Sequence, residues 1–514
     1  MEILKKCLLL NRQEIEIGGI QRCFDMAKVS EKGKAQMEAM EKKWQVTYPR
    51  GKDYSFAYRA PFGVRFEVEQ AQMMSFGIKA NRQWEALVSY ASVQYDEEDK
   101  LYRFWYSVSP GTAAQDITWA GKGENTDCSF MGYAESKDGL QWEKPELGYW
   151  EWQGHPTNLT LNGPGYGIGL NKPGEKEKYL AFYDQCEEQQ GEDDKRTPQE
   201  RSYITVGMSR DGIHWHDTCD GRIDGFFDSE NILTYDPFLK KYVGYLRGRS
   251  HGRCIMRVES DDLKTFTSPQ VLFRPDNEDP LDADFYTNGF CFYPHDESIR
   301  LLFPTVYMHR SDLFNIRMAV SYDGRAFDWV SREYVTDGRD LNGKEIKAFY
   351  AMHNMVPLAD RIGIPILYQD HYHERTFHEW FYGLPTAESG YLWATWKKDR
   401  LGGLRADTEG EFWSKPFIFD GNCLLINGHT HGLGRIRAEV YYSNLNPEVN
   451  NDVHIMGRTL EEGDDMRGDI DWQPYTWNKQ NDLGMLRGKP AVIRFKLQNA
   501  KMFGFAVANR TDEQ

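Results

Sequence analysis

A short pattern, Ser-x-Asp-Gly-x-x-Trp, opens at Ser136 (Ser136-Lys-Asp138-Gly139-Leu-Gln-Trp142) and then returns along the chain. A second copy runs from Ser209 through Asp211 and Gly212 to Trp215. A third, weaker one runs from Ser260 through Asp262 to Phe266, and a fourth from Ser321 through Asp323 and Gly324 to Trp329. A degenerate fifth lies at Leu392 to Leu404. The four serines are spaced 73, 51 and 61 residues apart. That period exceeds an ordinary solenoid repeat and suits four-stranded units with long loops. The pattern has a local logic. Ser and Asp side chains tie a tight turn to the backbone, and Gly supplies the positive φ. The aromatic residue then folds back to pack between neighbouring units.

Hairpins of matching plan lie between the copies. Val93 to Ser107 reads as strand, acidic turn and aromatic strand, and Ile232 to Gly248 repeats it with Asp236-Pro237 in the turn. Lys178 to Asp184, Ile299 to Tyr307 and Met355 to Asp370 fill the same slot elsewhere. Five such units with four or five Asp-Gly hairpins predict an all-β fold, a five-bladed β-propeller over residues 60–405. A six-bladed propeller or a double sandwich is the alternative.

The ends read differently. Residues 1–59 form an N-terminal segment with a short helix over 30–44, where Ser30 is the N-cap. Residues 406–514 alternate in period two, with turns expected at Asn427-Gly428 and at Arg487 to Pro490, and predict a C-terminal β-sandwich.

Composition narrows the function. There are 78 acidic and 62 basic residues, a formal net charge of −16. This argues against nucleic acid and anionic membranes as partners, both of which call for concentrated Lys and Arg. No apolar run approaches the ~20 residues that span a bilayer. Eight scattered cysteines without Cys-x-x-Cys pairs read as reduced and buried, which points to the cytoplasm. The aromatic content of 14% suits stacking on sugars as well as β-sheet cores. No Walker loop, dinucleotide fingerprint or Gly-x-Ser-x-Gly elbow occurs.

In a propeller the starts of the innermost strands face a shared funnel, so acids there can meet. Glycoside hydrolysis needs two carboxylates, one to protonate the leaving oxygen and one to attack or to activate water. Separations of about 5–5.5 Å favour retention and about 6.5–9.5 Å inversion. The candidates are Glu85, Asp228 (with Glu230 beside it), Asp284 and Glu345. Tyr286 and Asn288 follow Asp284 on one face by alternation. Trp84, Tyr286 and Asn288 are expected to contact substrate, and Arg247 and Arg249 to orient its carboxylate or hydroxyls. The second unit offers no acid on its innermost strand. The segment Tyr368 to Trp380 is rich in His and acids, but its spacing lacks a metal-binding helix and reads as a pocket rim. No cofactor is expected. His353, if directed into the channel, would line the substrate pocket or help hold a structural ion.

The run Tyr133 to Gly148 (YAESKDGLQWEKPELG), with NLTLNG and DSENILTYDPFLKKYVGYLRG, resembles bacterial glycosyl-hydrolase-like five-bladed propeller proteins. These are distantly similar to glycoside hydrolase families 32, 43 and 68. The C-terminal run is similar to the sandwich appended to that group. The family signatures Trp-Met-Asn-Asp-Pro-Asn-Gly, Arg-Asp-Pro and Glu-Cys are absent, so no catalytic residue transfers by motif.

These readings predict a glycosidase acting on a small oligosaccharide or glycoside. Asp228 is expected as nucleophile or base, Glu345 as general acid and Asp284 as the carboxylate that tunes the acid's pKa, with Glu85 as a fourth candidate. Two alternatives stand beside it. One is a phosphorylase using Arg247, Arg249 and His353 to hold phosphate, and the other is a non-catalytic carbohydrate-binding propeller. A homo-oligomer through the sandwich edge or the helix stays open.

Overall fold

The computed structural model describes the chain apart from residues 18, 23, 49, 51–55, 111–116, 120–122, 125–129, 163–166, 191–192, 218–219, 370–371, 374–387, 444–452 and 511–514. It divides into two compact units, Gln70–Lys398 and a second made of Met1–Glu69 with Asp399–Gln514.

Gln70–Lys398 holds five main antiparallel sheets in chain order, beside a small one of Gly123–Glu124, Ile117–Trp119, Trp150–Trp152 and His155–Pro156. In the first, Leu87–Asp96, Leu101–Ser109, Phe130–Ser136 and Leu159–Asn162 lie side by side. The second runs Gly169–Leu170, Tyr179–Cys186, Ser202–Ser209 and Trp215–Asp217. The third runs Ile232–Asp236, Lys241–Arg249, Arg253–Ser260 and Gln270–Phe273. The fourth is split into two parts. One pairs Ala283–Phe285, Thr305–Met308 and Leu313–Ile316, and the other pairs Cys291–Tyr293, Asp296–Leu302, Ala319–Ser321 and Asp328–Trp329. In the fifth, Ala348–Ala351 and Val356–Leu358 pair with Arg361–Gln369, followed by Ser389–Lys397. Its last strand, Gln72–Lys79, comes from ahead of the first sheet.

The first strands of these sheets touch in a circle. Ser92 Oγ accepts the Ile168 N–H at 2.8 Å, joining the first sheet to the second. Gly167 bridges Ile232, joining second to third. Asn288 Nδ2 donates to Glu230 O at 3.0 Å, and Thr287 Oγ1 to Ala351 O at 3.1 Å, which adds the fourth and fifth. His353 N donates to Ala91 O at 3.2 Å and returns to the first. Successive strands reverse direction, so the start of each first strand and the end of its second share one end of the unit.

The recurring turns have the bonding their residues imply. The Ser136, Ser209, Ser260 and Ser321 hydroxyls each accept the backbone N–H three residues on, at 2.9 Å. One oxygen of each aspartate accepts the N–H groups two and three residues on, at 2.8–3.0 Å. Gly212 has φ +76, and a β-carbon there would meet Trp105 at 2.4 Å. Trp105 Nε1 donates to Gly212 O at 2.6 Å and Trp393 Nε1 to Gly139 O at 2.8 Å, so tryptophans of one sheet fasten the turn of the next. The motif's own Trp142 stacks on Phe76 of the fifth sheet, centroids 4.9 Å apart.

The other unit holds the helix Glu31–Trp44, capped by Ser30 Oγ accepting the Gly33 N–H at 3.1 Å. Its β structure is a nine-stranded network around Cys423–Tyr442 and Lys489–Asn509, with a separate pair of Gly19–Arg22 and Phe56–Arg59. Residues 1–59 are not a separate segment: Glu2–Leu8 pairs with Lys489–Asn509, and Val46–Thr47 with Val453–Ile455. Charged side chains on Glu2–Leu8 mask its strand character in sequence. Asn427-Gly428 is likewise no hairpin turn, because it lies within Cys423–Tyr442 at a shift of register. A glycine inside a strand marks a bulge as readily as a turn. Four cysteines (Cys7, Cys254, Cys291, Cys423) are free and buried, while Cys186 is free but exposed. Cys23, Cys128 and Cys219 lie outside the described residues.

Candidate active site

One end of Gln70–Lys398 gathers its ionisable groups around Tyr286, just past the strand Ala283–Phe285. Two guanidiniums lie over that ring, Arg247 at 5.0 Å and Arg253 at 4.8 Å from its centroid. Arg247 lies near the end of the second strand of the third sheet, and Arg253 begins the third strand. Arg247 Nη2 donates to Asp228 Oδ2 at 2.5 Å. Asp228 sits ahead of Ile232–Asp236, and its side chain is 48% exposed, so it stays open to a ligand. Tyr90 is close enough to feel Tyr286, Arg247 and Asp228. Burial foremost, then Tyr286 and Asp228, hold its hydroxyl well above the usual range against the opposing pull of Arg247.

The decisive neighbour is Asp184, at the end of Tyr179–Cys186. Burial, then the charge of Asp228, pushes its carboxyl up to about 7, with Arg247 pulling the other way. Asp184 thus keeps its proton to a higher pH than an ordinary carboxyl, within electrostatic reach of Asp228, which is itself bonded to a guanidinium. A carboxyl raised in this way is suited to act as a general acid.

The aromatic wall is completed by Tyr307, Phe314 and Tyr350, with Tyr286 5.2 Å from Tyr350 and 6.0 Å from Tyr307. His373 bridges it: Nε2 is 3.3 Å from Tyr286 Oη and Nδ1 3.2 Å from Tyr350 Oη. Asp370 and His371 lie outside the described residues.

The four carboxylates expected from sequence do not form one cluster. Asp228 belongs to the site. Asp284 is buried behind it, where Oδ2 accepts from Arg253 N and Nη1, both at 3.1 Å, and lies 2.9 Å from His309 Nε2. Glu85 is fully buried and committed. Lys144 Nζ reaches both its oxygens at 2.7 and 2.8 Å, Tyr106 Oη donates at 2.7 Å, and the Asn81 and Arg82 N–H groups donate at 3.0 and 3.1 Å. Its geometry is that of a structural ion pair. Glu345 is 58% exposed and pairs with Lys347, with Arg339 as its other charged neighbour.

The expected ligand contacts also divide. Arg247 and Tyr286 are in the site, and Arg249 is exposed at its edge. Asn288 is turned away, its amide bonded to Glu230 O and Phe290 N, because the backbone stops alternating beyond Phe285. Trp84 is half-buried, with Nε1 donating to Asn158 Oδ1 at 3.1 Å. His353 lies deeper, with Nδ1 2.5 Å from Phe290 O, and burial lowers its pKa to about 4, leaving it neutral. Beside it, burial holds Glu230 well above the carboxylate range while Oε1 accepts the His353 N–H at 2.8 Å. Among the described residues no group of three or more His, Cys, Asp or Glu is placed to hold a metal ion.

Sequence reasoning sought acids only at innermost strands and so passed over Asp184. The signal was present in the Lys178 to Asp184 strand, whose far end returns to the same end of the unit.

Searches against known proteins give little at the level of sequence: no family model and no curated protein matches the chain. Solved structures do match. One is named only as a glycoside hydrolase (12% identity, TM-score 0.38, 72% of this chain and 96% of that one). Another is a sucrose-6-phosphate hydrolase from Lactobacillus gasseri (10%, 0.37, 93% and 97%). A third is a thermostable family-43 glycoside hydrolase (12%, 0.38, 63% and 91%). The chain is structurally similar, at low identity, to glycoside hydrolases. TM-scores this low say nothing about chemistry, which rests on the residues above.

Proposed function

We propose that the protein is a glycosidase whose Gln70–Lys398 unit is a five-bladed β-propeller, with its active centre at the Asp184–Asp228 pair. The propeller reading is supported by the five sheets and the circle of contacts among their first strands. The chemical reading is carried by one observation, the elevation of Asp184 to about 7 within electrostatic reach of Asp228, which bonds to Arg247. Asp184 is the general acid that protonates the leaving oxygen. Asp228 attacks the anomeric carbon or activates water. Arg247 fixes its orientation, and Tyr286 and its aromatic neighbours supply an apolar wall against which a sugar ring can stack. Asp184 takes the proton-donor role that Glu345, exposed and paired with Lys347, is poorly placed to fill.

Phosphorolysis would need cations free to hold phosphate. Arg247 is engaged by Asp228 and His353 is neutral and buried, which favours water as the acceptor. The test is sugar release from fructosides, arabinosides, xylosides and galactosides with and without phosphate. Release independent of phosphate supports hydrolysis, release only with phosphate replaces it, and saturable binding without product over days would leave a binding protein.

A further inference from the structure

The edge of the site beside Arg253 carries a concentration of positive charge at odds with a chain of net charge −16. Arg249 and Arg253 are direct cross-strand partners at the end of their hairpin. Like charges facing each other across a ladder are unfavourable. Only Arg253 has a compensating carboxylate there, Asp284 at 3.1 Å, and Arg249 forms no ion pair among the described residues. Arg274 reaches the same turn, with Nη1 3.4 Å from Ser250 Oγ.

The facing turn adds more. His309, 48% exposed, is held by Asp284, and the exposed Arg310 follows it with its N–H bonded to Asp282 Oδ2 at 3.0 Å. The carboxylates bonded into this lip are Asp282, Asp284 and Asp312, the last accepting from Tyr307 Oη at 2.9 Å, against the four guanidiniums of Arg249, Arg253, Arg274 and Arg310. The lip also adjoins the reacting groups, since Arg253 lies over the same Tyr286 ring as Arg247.

We propose that this lip is a subsite for an anionic substituent, so that the substrate is an acidic glycoside bearing a carboxylate, sulfate or phosphate group. The inference rests on the glycosidase reading for the word glycoside, but not for the anion. Exposed Arg249 and Arg310 receive the anion by charge-assisted hydrogen bonds, and Arg253 is held rigid by Asp284 beneath them. Bound anion relieves the repulsion between Arg249 and Arg253, and the lip draws acidic sugars toward the site in a salt-dependent way.

The test is calorimetric titration with D-glucuronate, D-galacturonate, glucose 6-phosphate and galactose 6-sulfate, each against its neutral parent sugar, at low and high salt. At least one acidic sugar should bind about tenfold tighter than its parent, and which one names the anion. The advantage should shrink with salt and in R249Q and R310Q, whose folding is checked by thermal melting. Equal binding of acidic and neutral sugars, or an advantage untouched by both variants, overturns the subsite. Acidic sugars bound as expected, with no glycoside of the panel cleaved, would keep the subsite and overturn the glycosidase. Cleavage of neutral glycosides without preference for acidic ones would do the reverse.

Discussion

Arg247 binds Asp228 through Nη2 at 2.5 Å while its guanidinium lies 5.0 Å from the centre of the Tyr286 ring. One cation thus orients the proposed nucleophile and caps the aromatic wall. It also opposes the elevation of Asp184, which Asp228 promotes.

That triangle fixes a sign for the pH profile. Activity should fall as pH rises through about 7, where Asp184 loses its proton. R247M removes the group that lowers Asp184 and should move this limb up by roughly half to one unit. A limb that stays in place or moves down would break the link between Asp184 and the profile.

The roles of the two carboxylates separate by leaving group. D228N should lose about a thousandfold or more in kcat on every substrate. D184N should lose about a hundredfold or more on poor leaving groups but far less on an activated aryl glycoside, which needs no protonation. Equal losses across leaving groups in D184N would remove it as the acid.

Asp184 also bears on stability. Its folded pKa of about 7 stands above the ordinary value of 3.8, so between those limits the folded chain holds a proton that the unfolded chain has released. Its contribution is full below about pH 4 and is lost as pH rises toward 7 and above. D184N should flatten that slope, gaining on the order of 2–4 kcal/mol relative to wild type at pH 8. Denaturant unfolding at pH 4 and pH 8 measures it.

Glu85 should behave oppositely. E85Q strips the buried Lys144 of its charge partner and should cost about 3 kcal/mol, while kcat stays within about threefold because the pair lies outside the Asp184–Asp228 cluster. A large loss of kcat with stability intact would return Glu85 to the chemistry.

The recurring turn can be tested at Gly212. A methyl group there meets Trp105 at 2.4 Å on a backbone of φ +76, so G212A should destabilise by about 2–4 kcal/mol. An unchanged melting temperature would show that the turn relaxes.

The repeat was legible because its chemistry is local. Ser, Asp and Gly within four residues determine their own turn, and five strand pairs followed from the spacing between copies. Local reading also singled out Asp228 and Arg247, which flank single hairpins and which the structure joins by a hydrogen bond. It could not find that Asp228 acts electrostatically on Asp184, since the two belong to different sheets brought together only by the circle of first strands. It misplaced Glu345 for the same reason in reverse: an acid near the start of a strand faces the centre only if its turn does, and here Lys347 holds it outward. At Asn427-Gly428 the residues of a turn proved to be those of a bulge. The choice is made by the long partner strand Lys489–Asn509, not by the dipeptide.

The fifth sheet is finished by a strand from the other end of its own unit, Leu392 pairing with Ser75. During synthesis Gln72–Lys79 emerges first and must wait without its ladder while some three hundred residues follow. Until Ser389–Lys397 arrives, the amphipathic early strand presents unpaired backbone and Phe76, an opening for mispairing with another copy. Closing so long a loop is slow but adds only modest entropy once the intervening sheets have formed. Its completion makes unravelling from either end of the unit a single event: detaching Gln72–Lys79 bares the edge of Ser389–Lys397, and both must go together.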